Sequence, residues 1–215
     1  MVLPKENIYQ DLKQKIIGEE LSPGQWVIER EICAMYGLSR TPVREVLRKL
    51  VSDDFLELQP AKGYLVRKLS WEEILAIFQA REAVEGMAAR LACLKSNQEF
   101  FSHLKELREQ LEKADIEQNP SEGVSLGNRL HNLIIETADN FLLSQFYQKL
   151  QNLAALTRNI TKKSTSIERK SKEDHLAIIH ALEEKNEVKS EQLLREHLRT
   201  TCRLLLETFY KSYYP

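Results

Sequence analysis

Apolar positions recur at helical spacing through nearly the whole chain. Over residues 7–20, Ile8, Leu12, Ile16 and Ile17 fall at intervals of three and four, which predicts an amphipathic helix stopped by Ser22-Pro23-Gly24. Residues 29–36 predict a second, short helix closed by Gly37, a residue suited to the left-handed turn after a helix. Ser39 then stands as an N-cap, and Pro42 falls in the first turn of a third helix, where its missing N–H is tolerated. Val43, Val46, Leu47 and Leu50 form that helix's inward face. The pattern next becomes strand-like at 55–58 and 64–66, joined by Gln59-Pro60-Ala61-Lys62-Gly63, a hairpin turn with glycine expected at its tip. Helix, helix, turn, helix and hairpin make a winged helix-turn-helix.

From Ser70 onward the pattern is helical throughout. Ser70-Trp71-Glu72-Glu73 reads as a capping box opening a helix to about residue 94. Further helices are expected over 98–118, 120–138, 142–161, 167–185 and 188–213, with breaks of only a few residues that suit an antiparallel bundle. The expected fold class is therefore mainly α: an N-terminal winged helix-turn-helix domain over 1–68 and an all-helical, six-helix bundle domain over 69–215. Low glycine and proline usage (7 and 6 residues) agrees with long helices, and 42% apolar with 29% charged residues excludes disorder throughout. The longest apolar runs are three or four residues, far short of a membrane span, and Met1 to Pro4 carry no signal-peptide pattern. Three separated cysteines without a CxxC pair fit thiols in a reducing cytoplasm.

A formal net charge of −1 predicts no general attraction to nucleic acid, but the charge is unevenly placed. Residues 1–68 hold eleven basic against ten acidic side chains, and within 30–49 five basic residues (Arg30, Arg40, Arg44, Arg48, Lys49) face only Glu31 and Glu45. A local basic cluster in a neutral chain is expected of a small DNA-binding head on an unrelated body. In a helix-turn-helix the second helix enters the major groove and reads bases with its N-terminal side chains. Here that helix opens Ser39-Arg40-Thr41-Pro42-Val43-Arg44, with Arg40 and Arg44 four apart on one face. Arginine suits bidentate contact with guanine, and the Ser39 and Thr41 hydroxyls can hold phosphates. Arg30, Arg48 and, on the wing, Lys62 with Gly63 complete the expected double-stranded DNA contacts. The competing reading pairs Arg44 and Arg48 with Glu45 and Asp53.

The stretch over 16–68, and the string Ser39-Arg40-Thr41-Pro42-Val43-Arg44-Glu45 above all, resembles the winged-helix domain of GntR-type transcription regulators. The helical remainder resembles the FCD effector domain of that family's FadR-type branch. The resemblance implies DNA contacts at Arg30, Ser39, Arg40, Thr41, Arg44 and Gly63. It also implies a homodimer on a palindromic operator, a small organic acid as effector, and a bacterial, cytoplasmic, nucleoid-associated protein.

Three of five histidines, His131, His175 and His197, sit on the apolar stripes of separate helices; His103 and His180 fall on polar faces. A lone inward histidine is usually a core residue, but three on facing helices point to a divalent metal such as Zn, Ni or Mn. The resemblance adds that metal-binding FCD domains carry an Asp four residues before the first histidine and two further histidines 22 apart, a spacing that 175 and 197 match. The Asp position is here Gly127, beside Asn128, so coordination would rest on three imidazoles with positions open to water or an effector carboxylate. Asn128 reaches such a site only if its helix rotates. Arg81 matches the arginine that holds the effector's carboxylate in that branch; a structural ion pair with Glu85 or Glu82 explains it equally. Other functions considered are a three-histidine hydrolase and a helical scaffold. The first lacks an HExxH, a nucleophile elbow or a glycine-rich phosphate loop, and the second leaves the Ser39–Glu45 string unexplained.

Overall fold

A computed structural model describes residues 5–158 and 164–213. The chain forms two compact units. The first runs to Ser70 and also takes a segment starting at Gln151; the second holds Trp71–Leu150 and the C-terminal helices.

The first unit contains α1 (Lys5–Ile17), β1 (Trp26–Val27), α2 (Glu29–Tyr36), α3 (Arg40–Ser52), β2 (Leu56–Gln59) and β3 (Gly63–Val66). Ile8, Leu12 and Ile16 of α1 bury against Val43, Leu47 and Leu50 of α3, with Phe55, Tyr64 and Val66 from the wing. Ala155, from the segment starting at Gln151, joins this core. Gly37 ends α2 at φ 65°, ψ 35°, its N–H reaching the Cys33 carbonyl, so the expected left-handed stop is present. Ser39 occupies the N-cap position of α3 in extended conformation, but its hydroxyl makes no capping bond. The wing hairpin pairs Leu56 with Val66 and Gln59 with Gly63. Its tip is therefore Pro60 to Lys62, with Ala61 at φ 61°, whereas Gly63 opens β3 at φ 108°. The expectation of a glycine at the tip is thus corrected by one step of register. β1, which no periodicity announces, adds a third antiparallel strand in the order β1-β3-β2.

The second unit is built from α4 (Trp71–Lys95), α5 (Gln98–Lys113), α6 (Pro120–Ala138), α7 (Phe141–Ala155, whose residues from Gln151 on belong to the first unit), α8 (Thr165–Glu183) and α9 (Glu187–Tyr213). The expected end of the 142–161 helix falls partly outside the described residues. α5 stops earlier than its apolar pattern suggests, at Lys113, where Ala114 turns extended. Asn97 caps α5 by accepting from the Phe100 N–H, and Asn140 accepts from the Leu142 and Leu143 N–H groups at the start of α7. α4 packs along both α9 and α6, and α8 lies against α5, α6 and α9. Small residues make the close approach possible: Ala88, Ala89 and Ala92 are fully buried, and a side chain at Gly86 would meet Arg195 at 2.8 Å. No described helix is long and apolar enough to cross a membrane.

Candidate functional sites: a basic helix face and a buried histidine cluster

On α3, Arg40, Arg44 and Arg48 stand one turn apart and are all exposed, as are Ser39 and Thr41 at its start and Arg30 in the first turn of α2. Lys62 is exposed at the wing tip with Gly63 beside it. Among the described residues Arg30, Arg40 and Arg48 carry no ion pair, which leaves three cations for an outside anion. Arg44 is different. Its Nε donates to both carboxylate oxygens of Glu29, at 2.8 and 3.0 Å. The partners weighed from sequence are engaged elsewhere: Glu45 takes Lys5, and Asp53 accepts from the Tyr9 hydroxyl at 2.5 Å. Glu29 was missed because a 15-residue separation has no helical periodicity to announce it.

In the second unit the three stripes do converge. His131 on α6, His175 on α8 and His197 on α9 are each about 95% buried, with ring centroids 4.5 to 5.4 Å apart. One ring nitrogen from each lies within 4.8 Å of the others. His131 Nε2 and His175 Nε2 are 3.3 Å apart. Two nitrogens bound at 2.0–2.1 Å to one tetrahedral ion are separated by about 3.3 Å, so this pair already has the spacing of two ligands. His103 and His180 are exposed.

Carboxylates, one buried and one half-buried, orient two of the rings. Glu85 on α4 is 1% exposed; its Oε1 accepts from Arg81 Nε at 2.6 Å and its Oε2 lies 2.5 Å from His131 Nδ1. The second pair is out of line for a directional hydrogen bond. Its closeness still favours a proton on Nδ1, because a bare lone pair there would face an anion, and so Nε2 is left bare toward the cluster. Burial pushes the Glu85 carboxyl up, but the Arg81 charge and His131 outweigh it and hold the group at about 2. His197 Nδ1 lies 3.4 Å from Asp174, which is itself held by Lys170 at 2.8 Å. Burial lowers both His175, strongly, and His197, so both are neutral near pH 7, the state that donates to a metal. His175 Nδ1 is buried without a partner.

Gly127 has a second meaning that sequence could not give. A Cβ there would fall 2.4 Å from His175 Cε1, closer than real atoms approach. The absent side chain is thus what admits the His175 ring, and an aspartate at 127 is incompatible with the ring in this position. Asn128 is half-buried off the inward stripe, and Arg81, also half-buried, is spent on Glu85. The three-imidazole donor set and its carboxylate partners fit a divalent cation.

Comparisons with known proteins bear on the family and the fold of the two units. The profile of bacterial regulatory proteins of the gntR family matches residues 4–66, and that of the FCD domain matches residues 76–200. The chain is 28% identical over 200 residues to the HTH-type transcriptional repressor GlaR of Escherichia coli (strain K12), across 89% of this chain and 91% of GlaR. It is 24% identical over 194 residues to the transcriptional repressor RspR of the same organism, across 90% and 85%. The solved structure of E. coli McbR/YncC shares the fold, with a TM-score of 0.81 at 23% identity over 97% of this chain and 100% of its own. These relatives are regulators, which removes support from the hydrolase and scaffold readings. The chain belongs to the GntR family, with an FCD domain behind its winged helix, and is a DNA-binding transcriptional regulator, not an enzyme.

Proposed function

We propose that this protein is a repressor of the FadR-type branch that binds a palindromic operator as a homodimer, through residues 1–68, and releases it when a small carboxylic acid binds within 69–215. Operator contacts are assigned to Arg30, Ser39, Arg40, Thr41, Arg44, Arg48, Lys62 and Gly63. His131, His175 and His197 would hold a divalent cation (Zn, Ni or Mn), which when bound supplies a positive centre for the acid's oxygens. The observation that carries this reading is the 3.3 Å separation of two buried imidazole nitrogens, with carboxylates behind the flanking rings.

The roles of the chain's own groups follow from that arrangement. Burial keeps His175 and His197 unprotonated, Glu85 and Asp174 turn two of the rings inward, and Gly127 makes room for the His175 ring. Arg81 adds positive potential to the same region while bound to Glu85; Asn128 is the remaining polar candidate for an effector contact. Coupling to DNA needs only about 1–3 kcal/mol of differential affinity between two arrangements of the heads, since half-sites one turn apart tolerate little change in spacing.

The test is metal content of the purified protein by plasma mass spectrometry, followed by operator mobility shifts with and without candidate acids. The expected result is about one Zn, Ni or Mn per chain, absent from His175→Ala, with operator released by an acid only in the metal-loaded protein. No metal after incubation with each ion would leave the three histidines as a hydrogen-bonded core cluster and overturn the metal part of the reading.

A further inference from the structure

Glu168 is the chain's other unexplained buried acid. It stands on α8 seven residues before His175, on the same inward stripe, with Ser171 between them and also buried. Its side chain has no hydrogen bond or ion pair among the described residues, although the residue is only 5% exposed. With no charge opposing it, burial alone pushes its carboxyl up to about 7. Glu85, buried, and Asp174, half-buried, show how the same unit treats its other withdrawn acids: each is matched by a cation. An acid left unmatched, at a cost to folding, is a place where something from outside completes the pairing.

Its position ties it to the histidine cluster. Glu168 Oε2 lies 3.4 Å from where a Gly123 Cβ would be, and His175 Cε1 lies 2.4 Å from where a Gly127 Cβ would be. Those two positions are one helical turn apart on α6, about 6 Å, so the carboxylate and the imidazole are separated by at most about 12 Å. A small aliphatic molecule spans that gap.

We propose that Glu168 is the anchoring site for a protonated amine on the effector, so that the ligand class is a small aminocarboxylic acid with its carboxylate at the histidine cluster and its ammonium at Glu168. The proposal rests on the effector reading above and narrows it. A carboxylate is an acceptor only when ionised, and an ammonium brings both the donors and the charge this group lacks. An amine-free acid would leave Glu168 as it is, unpaired, and so binds more weakly.

The probes are matched pairs: glycine with acetate, β-alanine with propionate, 4-aminobutyrate with butyrate and 6-aminohexanoate with hexanoate. Each is titrated calorimetrically into the zinc-loaded, full-length protein. At least one amino acid should bind about tenfold or more tightly than its amine-free partner. In Glu168→Gln that preference should vanish while zinc content and the affinity of the amine-free acid stay unchanged. Glu168→Asp, whose carboxylate is withdrawn by one methylene, should move the preferred chain length one step longer. If the amine-free acids bind as well in wild type, the amine site is wrong and the carboxylic-acid reading survives. Loss of zinc in Glu168→Gln, with the fold intact by circular dichroism, would make Glu168 part of the cation's charge balance and overturn the proposal. If no acid of either kind binds the zinc-loaded protein, the effector reading falls and this one with it.

Discussion

The basic face of α3 in the first unit and the histidine cluster of the second use polar side chains in opposite ways. On α3 the arginines are solvated, and removing one leaves nothing buried without a partner. In the second unit Arg81, Glu85, His131, His175 and Glu168 are all withdrawn from water; Arg81, Glu85 and His131 depend on one another for charge, and Glu168 has no such neighbour. A surface site can therefore change residue by residue at little cost to the fold. A buried one is fixed as a set, and its function and its stability are the same interactions.

The contrast is broken most directly at Glu85. Truncation to alanine strips Arg81 of its acceptor and His131 of its carboxylate at once, and an uncompensated buried charge costs about 3–5 kcal/mol. Glu85→Ala should lose stability of that order in urea denaturation and, if it folds, bind metal about 10–100-fold more weakly. A loss below about 1 kcal/mol would mean that Arg81 finds water and that the second unit is as forgiving as the first.

Glu168 tests the same idea with opposite sign. Its carboxyl titrates near 7 in the folded chain but at the ordinary 4.5 when unfolded. Below about 4.5 it contributes nothing. Between 4.5 and 7 the unfolded state sheds its proton first, so folding weakens as pH rises. Above 7 the full cost, about 3 kcal/mol, is present. Glu168→Gln should remove that pH dependence, so the variant's advantage over wild type in denaturant titrations should grow by about 3 kcal/mol from pH 4.5 to 8. Parallel curves at both pH values would show that Glu168 already has a partner in solution.

The two regions also differ in how much of them could be read from sequence. The reading face was legible because helical geometry alone decides which side of α3 carries Arg40 and Arg44, and a solvated site needs no knowledge of what packs behind it. The three histidines were legible for a similar reason, each lying on an apolar stripe. What lay beyond periodicity was tertiary. Glu85 was visible as a partner of Arg81 but not of His131. Gly127 read as a missing ligand, whereas the fold makes it the clearance for the His175 ring. β1 is two residues long and has no period to detect, and nothing in sequence announces that a segment starting at Gln151 joins the first core. Glu168 shares the stripe of His175 at a spacing of seven, a pattern open to notice once α8 is drawn as a wheel.

The smallest effect is expected where the contrast blurs, at the Glu29–Arg44 pair. Arg44 alone among the α3 arginines is held by a neighbour, and the ion contact raises its affinity for its proton further. Such an exposed pair adds little to folding, but Glu29 places a negative charge on the surface proposed to face phosphates. Any DNA must take Arg44 from Glu29 before using it, and a guanine edge that accepts two hydrogen bonds compensates that exchange better than a lone phosphate does. Glu29 therefore suppresses generic binding more than operator binding. Arg44→Ala should weaken operator binding by roughly ten- to a hundredfold in fluorescence anisotropy. Glu29→Gln should instead tighten binding to unrelated duplex DNA by about threefold at low salt, with operator affinity nearly unchanged and the gain fading as salt rises. Equal tightening on both DNAs would reduce Glu29 to one more surface charge and leave the α3 face a set of independent residues; a fall in operator affinity would make it the group that aims Arg44.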